Sequence, residues 1–119
     1  MIYLVYRMRL NARARQDMKG FWHWLENRER FFYGDLPMVE SVRWYYSVVG
    51  DVYVMENWAG FADEAAWGRY RAALATLKQD NTWEAERVSQ DDWWTFLDTR
   101  IVTDPPCSVG FARPGPDQR

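Results

Sequence analysis

Apolar residues alternate with others along Ile2–Leu10, with Ile2, Leu4, Tyr6, Met8 and Leu10 on one face and Tyr3, Val5, Arg7 and Arg9 on the other. That period of two predicts a strand beginning almost at residue 2. From Asn11 to about Tyr33 the period changes. Met18, Phe21, Trp22, Leu25 and Phe32 recur at helical spacing and form one apolar stripe. Gly34-Asp35-Leu36-Pro37 closes this helix. Glu40–Val49 alternates again, with Val42, Trp44, Tyr46 and Val48 opposite Arg43, Tyr45, Ser47 and Val49. A turn at Gly50-Asp51 and a return over Val52–Trp58 predict a hairpin.

In this reading the strand stops at Trp58, and the chain turns through Ala59-Gly60-Phe61. A second helix follows from Asp63, a good N-cap residue, to about Gln79, with Ala66, Tyr70, Ala73, Leu74 and Leu77 as its stripe. Asp80–Asp92 is polar and suits a short helix, Asn81 and Glu84 being spaced like a capping pair. Trp93–Thr103 predicts the last strand. Residues 104–119 contain four of the five prolines and read as a loose tail beyond a domain of residues 1–103.

The order β-α-β-β-α-β predicts an α+β, ferredoxin-like domain, a four-stranded antiparallel sheet with helices on one face. A sheet with one wet face alternates cleanly between apolar and polar. Here Tyr3, Val5, Tyr45, Val49, Trp93 and Leu97 put large apolar groups on the second face as well. That face is therefore expected to be buried against a partner, most simply a second copy in a sheet-to-sheet homodimer.

Two short stretches carry a family likeness: Glu56-Asn57-Trp58, an acid-x-Trp at a strand end, and the Ala-rich Glu64-Ala65-Ala66-Trp67 at a helix start. With the element order over residues 1–103, they make the chain resemble the dimeric α/β-barrel superfamily, which includes the antibiotic-biosynthesis-monooxygenase-like proteins. The resemblance implies a homodimer whose two sheets form a barrel with helices outside, and a ligand held between sheet and helices of each subunit. Members of that superfamily include cofactor-free oxygenases, polyketide cyclases, haem-degrading enzymes and proteins without known activity. Haem-degrading members carry an axial histidine late in the second helix; this chain has Leu77-Lys78-Gln79 there.

Composition narrows the chemistry. The 119 residues suit one domain. Aromatics make up 18% and include eight tryptophans, more than a core this small requires, so pocket walls or an association surface are expected. Net charge is −2 and lysine occurs only at 19 and 78, which argues against a nucleic-acid partner. The lone Cys107 offers no internal disulfide and fits a reducing cytoplasm. The apolar start carries Arg7 and Arg9, unlike a signal peptide, and no apolar run reaches membrane-span length. Dinucleotide, P-loop, nucleophile-elbow and CxxC motifs are absent from the sequence, and one histidine with one cysteine makes a zinc site improbable.

Among candidate groups, His23 falls opposite the apolar stripe beside Lys19, Asn27 and Arg30, as a solvated histidine would. Tyr70 lies within the stripe of its helix, either as a hydrogen-bonded core phenol or as a group that orients a ligand or donates a proton. Arg7 and Arg43 sit inside strands and need a carboxylate or a ligand anion. Glu56 and Asp98 are the internal choices. If these groups line a cavity, Arg7 or Arg43 would anchor an anionic ligand and Glu56 would abstract a proton, with Trp58 and Trp67 as flat walls and Tyr45 beside them. The resulting expectation is a small-molecule enzyme performing cofactor-independent oxygenation or cyclisation of an aromatic or polyketide-like substrate. Its catalytic groups would be Glu56, Tyr70 and Arg43, and its ligand-binding groups Arg7, Tyr45, Trp58 and Trp67. The alternative is a non-catalytic ligand-binding or structural homodimer, its tryptophans serving core and interface. Tyr70→Phe and Glu56→Gln separate the two readings.

Overall fold

The computed structural model describes residues 1–115. Strands β1 (Ile2–Leu10), β2 (Ser41–Tyr46), β3 (Val54–Phe61) and β4 (Trp94–Thr103) form one sheet in the order β2-β3-β1-β4, every neighbouring pair antiparallel. Between β1 and β2 lie α1 (Ala12–Gln16) and α2 (Met18–Gly34); between β3 and β4 lie α3 (Glu64–Leu77), α4 (Asn81–Val88) and a 3₁₀ turn (Ser89–Asp92). This is the ferredoxin-like arrangement expected from the periodicities.

The first helical segment is two helices, not one. Asp17 leaves the helical conformation (φ −141°, ψ 65°), and its carboxylate accepts the Gly20 N–H at 3.0 Å, starting α2 afresh. A Cβ at Gly20 would come within 2.2 Å of Asp17 Oδ2, so glycine is what lets the cap close. Asn11 caps α1 in the same way, accepting from Ala14 at 3.0 Å. Helical spacing alone does not register such a break, because the apolar stripe continues through it.

β3 also runs further than the periodicity suggests. Ala59-Gly60-Phe61, expected as a turn, stay in the sheet opposite Leu4, Tyr3 and Ile2. Gly60 is in the strand for space: a Cβ there would meet Ser41 Oγ at 2.4 Å. The chain then enters α3 at Asp63, whose carboxylate accepts the Ala66 N–H at 2.8 Å. Asp63→Ala should lower stability by about 1 kcal/mol, measured as a shift in urea midpoint at unchanged m value. A loss under roughly 0.3 kcal/mol would show that α3 is held by packing alone. Before α4 the cap is Asp80, accepting from Thr82 and Trp83, rather than the Asn81–Glu84 pair suggested by spacing.

Cross-strand partners share a face. Ile2, Leu4, Tyr6, Met8 and Leu10 therefore look toward the helices with Met55, Asn57, Ala59 and Phe61 of β3 and Val42, Trp44 and Tyr46 of β2. On the same face of β4, Trp94 and Phe96 lie opposite Leu10 and Met8. A register shift then inserts Leu97 as an extra residue, a β-bulge. It turns Asp98 to the other face, opposite Arg7, where strict alternation from Trp94 would have turned it inward.

The core between sheet and helices has two parts. One gathers Phe21, Leu25, Trp93, Trp94, Met8, Leu10 and Met55; the other gathers Phe32, Leu36, Phe61, Ala66, Tyr70 and Trp83. Trp24 belongs to the first, stacked on Trp93 with ring centres 5.8 Å apart. The apolar stripe read from helical spacing does not include it. Trp22, assigned to the stripe, is instead 37% exposed. Residues 104–115 are exposed coil, joined to the sheet where the Asp104 N–H donates to the Met1 carbonyl and Tyr3 Oη donates to the Asp104 carboxylate. The remainder of the expected tail, residues 116–119, lies outside the described residues.

Candidate functional site

A cavity of about 170 Å³ lies between the helix-covered face of the sheet and α2, α3 and α4. Its walls are aromatic and apolar: Tyr6 and Met8 from β1, Trp44 from β2, Phe32 from α2, and Trp94 and Phe96 from β4. Polar groups reach it from several elements. β1 supplies the Tyr6 phenol, α2 supplies Arg28 and Tyr33, β3 supplies Asn57, α3 supplies Tyr70 with Lys78 just past its end, α4 supplies Arg87, and the 3₁₀ turn supplies Gln90. Toward solvent it adjoins a groove between α3 and β4, bounded by Leu4, Trp67, Arg71 and Thr99. An apolar cavity with a few convergent polar groups is the usual form of a small-molecule site.

Arg28 is placed by helical spacing: Phe21, Leu25, Arg28 and Phe32 follow one another on the stripe of α2. Its side chain is 10% exposed. The guanidinium lies over the Phe32 ring at 4.4 Å and the Trp94 ring at 5.4 Å. Nη2 donates to Gln90 Oε1 at 3.0 Å, and Nη1 is 3.6 Å from a Glu29 carboxylate oxygen. Nε finds no partner among the described residues. Burial pushes the Glu29 carboxyl above its ordinary range, while the Trp44 indole and Arg28 pull it back.

Opposite stand three phenols and an amide. Tyr33 Oη donates to Asn57 Oδ1 at 3.4 Å, which leaves the buried Asn57 Nδ2 without a partner among the described residues. Burial pushes the Tyr33 phenol up to about 12, although Arg28 nearby pulls it down. Burial raises Tyr70 too, with Tyr6 and Tyr33 adding to the effect. Both are neutral at physiological pH. They act there as hydrogen-bond donors and acceptors, not as bases.

The residues expected from the sequence divide between the two faces. Tyr70 lines the cavity, and Trp67 stands in the adjoining groove. Arg7, Arg43, Tyr45, Glu56 and Trp58 all lie on the helix-free face, as their cross-strand pairing dictates. There Arg7 pairs with Asp98 at 3.1 Å. Glu56 accepts from Trp58 Nε1 at 2.9 Å and faces Arg100 at 3.8 Å, and Tyr45 meets the Trp58 ring at 6.0 Å. Glu56 and Tyr70 therefore do not share one pocket within a subunit, because the sheet separates them. His23 is exposed on α2 beside Asn27, as its position on the wheel indicated.

Arg28, Tyr33, Asn57 and Gln90 were not singled out from the sequence. Arg28 had a readable signal, an arginine inside an apolar stripe, and Asn57 had another, an amide at an inward position between Met55 and Ala59. Gln90 had none, since its burial arises only when the 3₁₀ turn folds against α2.

Among the described residues, no group of three or more His, Cys, Asp or Glu is placed to hold a metal ion. No helix there is long and apolar enough to cross a membrane. No protein-family model matches the chain, and no curated protein matches it. Solved structures do. HapK from Hahella chejuensis matches with a TM-score of 0.63 at 15% identity, over 94% of this chain and 100% of that one. A NIPSNAP family protein from Agrobacterium tumefaciens matches with a TM-score of 0.62 at 14% identity, over 90% and 89%. An uncharacterized NIPSNAP-like domain protein from Burkholderia xenovorans matches with a TM-score of 0.62 at 16% identity, over 98% and 97%. At these identities the likeness is one of fold alone, and the fold is the ferredoxin-like one.

Proposed function

We propose that this protein is a small-molecule enzyme that works without a bound cofactor on an aromatic or polyketide-like substrate held in the cavity between sheet and helices. One observation carries the reading: aromatic walls enclose a space into which buried polar groups from several elements converge. The chemistry that fits is oxygenation or ring closure through an enol or enolate. Tyr70 would donate a hydrogen bond to the oxygen on which negative charge develops. Trp67 would guide the substrate in from the groove. We assign the cluster of Arg7, Arg43, Tyr45, Glu56 and Trp58 to contact with a second copy, because half-exposed aromatics and paired charges on an uncovered sheet face suit a two-fold interface.

A second reading has its own support. Among the described residues that line the cavity there is no carboxylate or imidazole, so a ligand carrier without turnover also fits. Native mass spectrometry of the freshly purified protein, followed by incubation with aromatic and polyketide-like compounds in air, separates the readings. The enzyme reading expects a dimer and a product whose formation drops roughly 10- to 100-fold in Tyr70→Phe. Binding without product would establish the carrier. A monomer that binds nothing, indistinguishable from a Leu74→Trp variant with the cavity filled, would overturn both.

A further inference from the structure

We infer that the cavity selects a planar organic anion, held by Arg28 at its closed end with Lys78 and Arg87 at its rim. This rests on the reading of the cavity as the small-molecule site and adds the charge of what enters it. The chain as a whole is slightly acidic, at −2. The cavity departs from that balance: three basic side chains line it, and no acidic one does among the described residues.

The cations differ in setting. Lys78 is exposed at the end of α3, and Arg87 is held by Glu84, to which its Nε donates at 2.8 Å. Arg28 is the buried one. A buried guanidinium requires an oxyanion or several acceptors. Gln90 supplies one neutral acceptor, and Glu29 forms an ion pair with Nη1 at 3.6 Å that is too long for a hydrogen bond and leaves the guanidinium with spare donors. Nε is left over. The other buried groups without partners that belong to lining residues are likewise N–H donors: Asn57 Nδ2, Trp44 Nε1 and Trp94 Nε1. Of these the Trp44 indole has the Glu29 carboxylate as a neighbour. A wall with spare donors and one buried cation complements a molecule rich in acceptors and carrying negative charge.

Flatness follows from the walls. Phe32, Trp44, Trp94 and Phe96 offer ring faces, and about 170 Å³ accommodates a molecule of one or two rings. Without a carboxylate or imidazole to remove a proton, the cavity suits a compound already ionised in solution. An aromatic carboxylate or an acidic enol meets that description.

The experiment is calorimetric titration with 2-naphthoate and with 2-naphthamide, which share shape and differ in charge. The wild-type protein should bind the naphthoate roughly 10-fold or more tightly than the amide. Arg28→Met should abolish that preference while still binding the amide, Arg28→Lys should keep part of it, and Leu74→Trp should block both compounds. Equal binding of the two by the wild type would overturn the inference and leave the cavity reading intact. Binding of neither would overturn the cavity reading and the inference with it. Should Arg28→Met not fold, Lys78→Glu decides: a carboxylate at the rim should cut the preference about 3-fold or more, and an unchanged preference would overturn the proposal.

Discussion

Phe21→Ala should destabilise the protein by about 3–5 kcal/mol, the largest effect expected of a single truncation in this core. Phe21 is fully buried, and its ring is within reach of four tryptophans, with centres 5.2 Å from Trp22, 6.0 Å from Trp24, 5.9 Å from Trp93 and 6.2 Å from Trp94. Removing the ring takes away its transfer free energy and leaves a hole bounded by rigid indoles that cannot collapse into it. Domains of this kind are stable by only about 5–15 kcal/mol, so the loss is a large part of the whole. Trp22→Ala is the control. That ring packs edge-on to Phe21 yet is 37% exposed, so its removal should cost clearly less. Urea unfolding followed by far-ultraviolet circular dichroism measures both without relying on the tryptophans themselves. Equal losses in the two variants would mean that Phe21 is not the hub of this cluster.

Alkaline pH should remove a comparable amount of stability, through the phenols of the cavity. Tyr33 is raised from 10.0 to about 12 by burial, and Tyr70 is raised by burial as well. In each case the folded state holds its proton more tightly than the unfolded chain. The corresponding stability is fully present below pH 10 and is lost as pH climbs from 10 toward 12, because the unfolded chain then releases protons that the folded state retains. For Tyr33 alone the change amounts to roughly 2.7 kcal/mol across that window. Urea midpoints collected at intervals from pH 9 to 12 should fall steeply in the wild type and less steeply in Tyr33→Phe. Absorbance near 295 nm should show these phenols ionising only as the protein unfolds. If Tyr33→Phe follows the wild-type curve throughout, the cavity is wetter than its burial implies.

Much of the fold was legible because β1 and α3 each keep one period over most of their length, and period alone distinguishes strand from helix. The errors fall where a side chain acts on the backbone locally. Asp17 breaks a helix whose apolar stripe passes straight through the break, and Gly60, which looks like a turn residue, sits in a strand, where a Cβ would crowd the Ser41 hydroxyl. Of the residues singled out from the sequence, Tyr70 lines the candidate cavity, and Arg7, Arg43, Tyr45, Glu56 and Trp58 lie on the other face of the sheet. Arg7, Arg43 and Glu56 drew notice because they are charged residues inside strands, yet strand position does not say which face is covered. The covered face is fixed by β1 pairing with β3, a contact between residues some fifty positions apart. Arg28 escapes such a reading because helical stripes are recognised by their apolar members, and a charged residue among them adds nothing to the period.

The extra residue at Leu97 makes strand pairing, rather than residue type, decide which side chains of the last strand face the cavity. With it, Asp98 and Arg100 turn away from the cavity while Thr99 and Ile101 turn toward the helices. Were the full-length strand paired without the bulge, the sequence from 98 onward would exchange faces and Asp98 would turn toward the cations that line the cavity, whereas deleting Leu97 would regularise the pairing and leave those faces as they are. The bulge thus sets which charges of the last strand face the cavity, with every amino acid unchanged. Related chains are then best compared by locating this bulge before comparing residue identities.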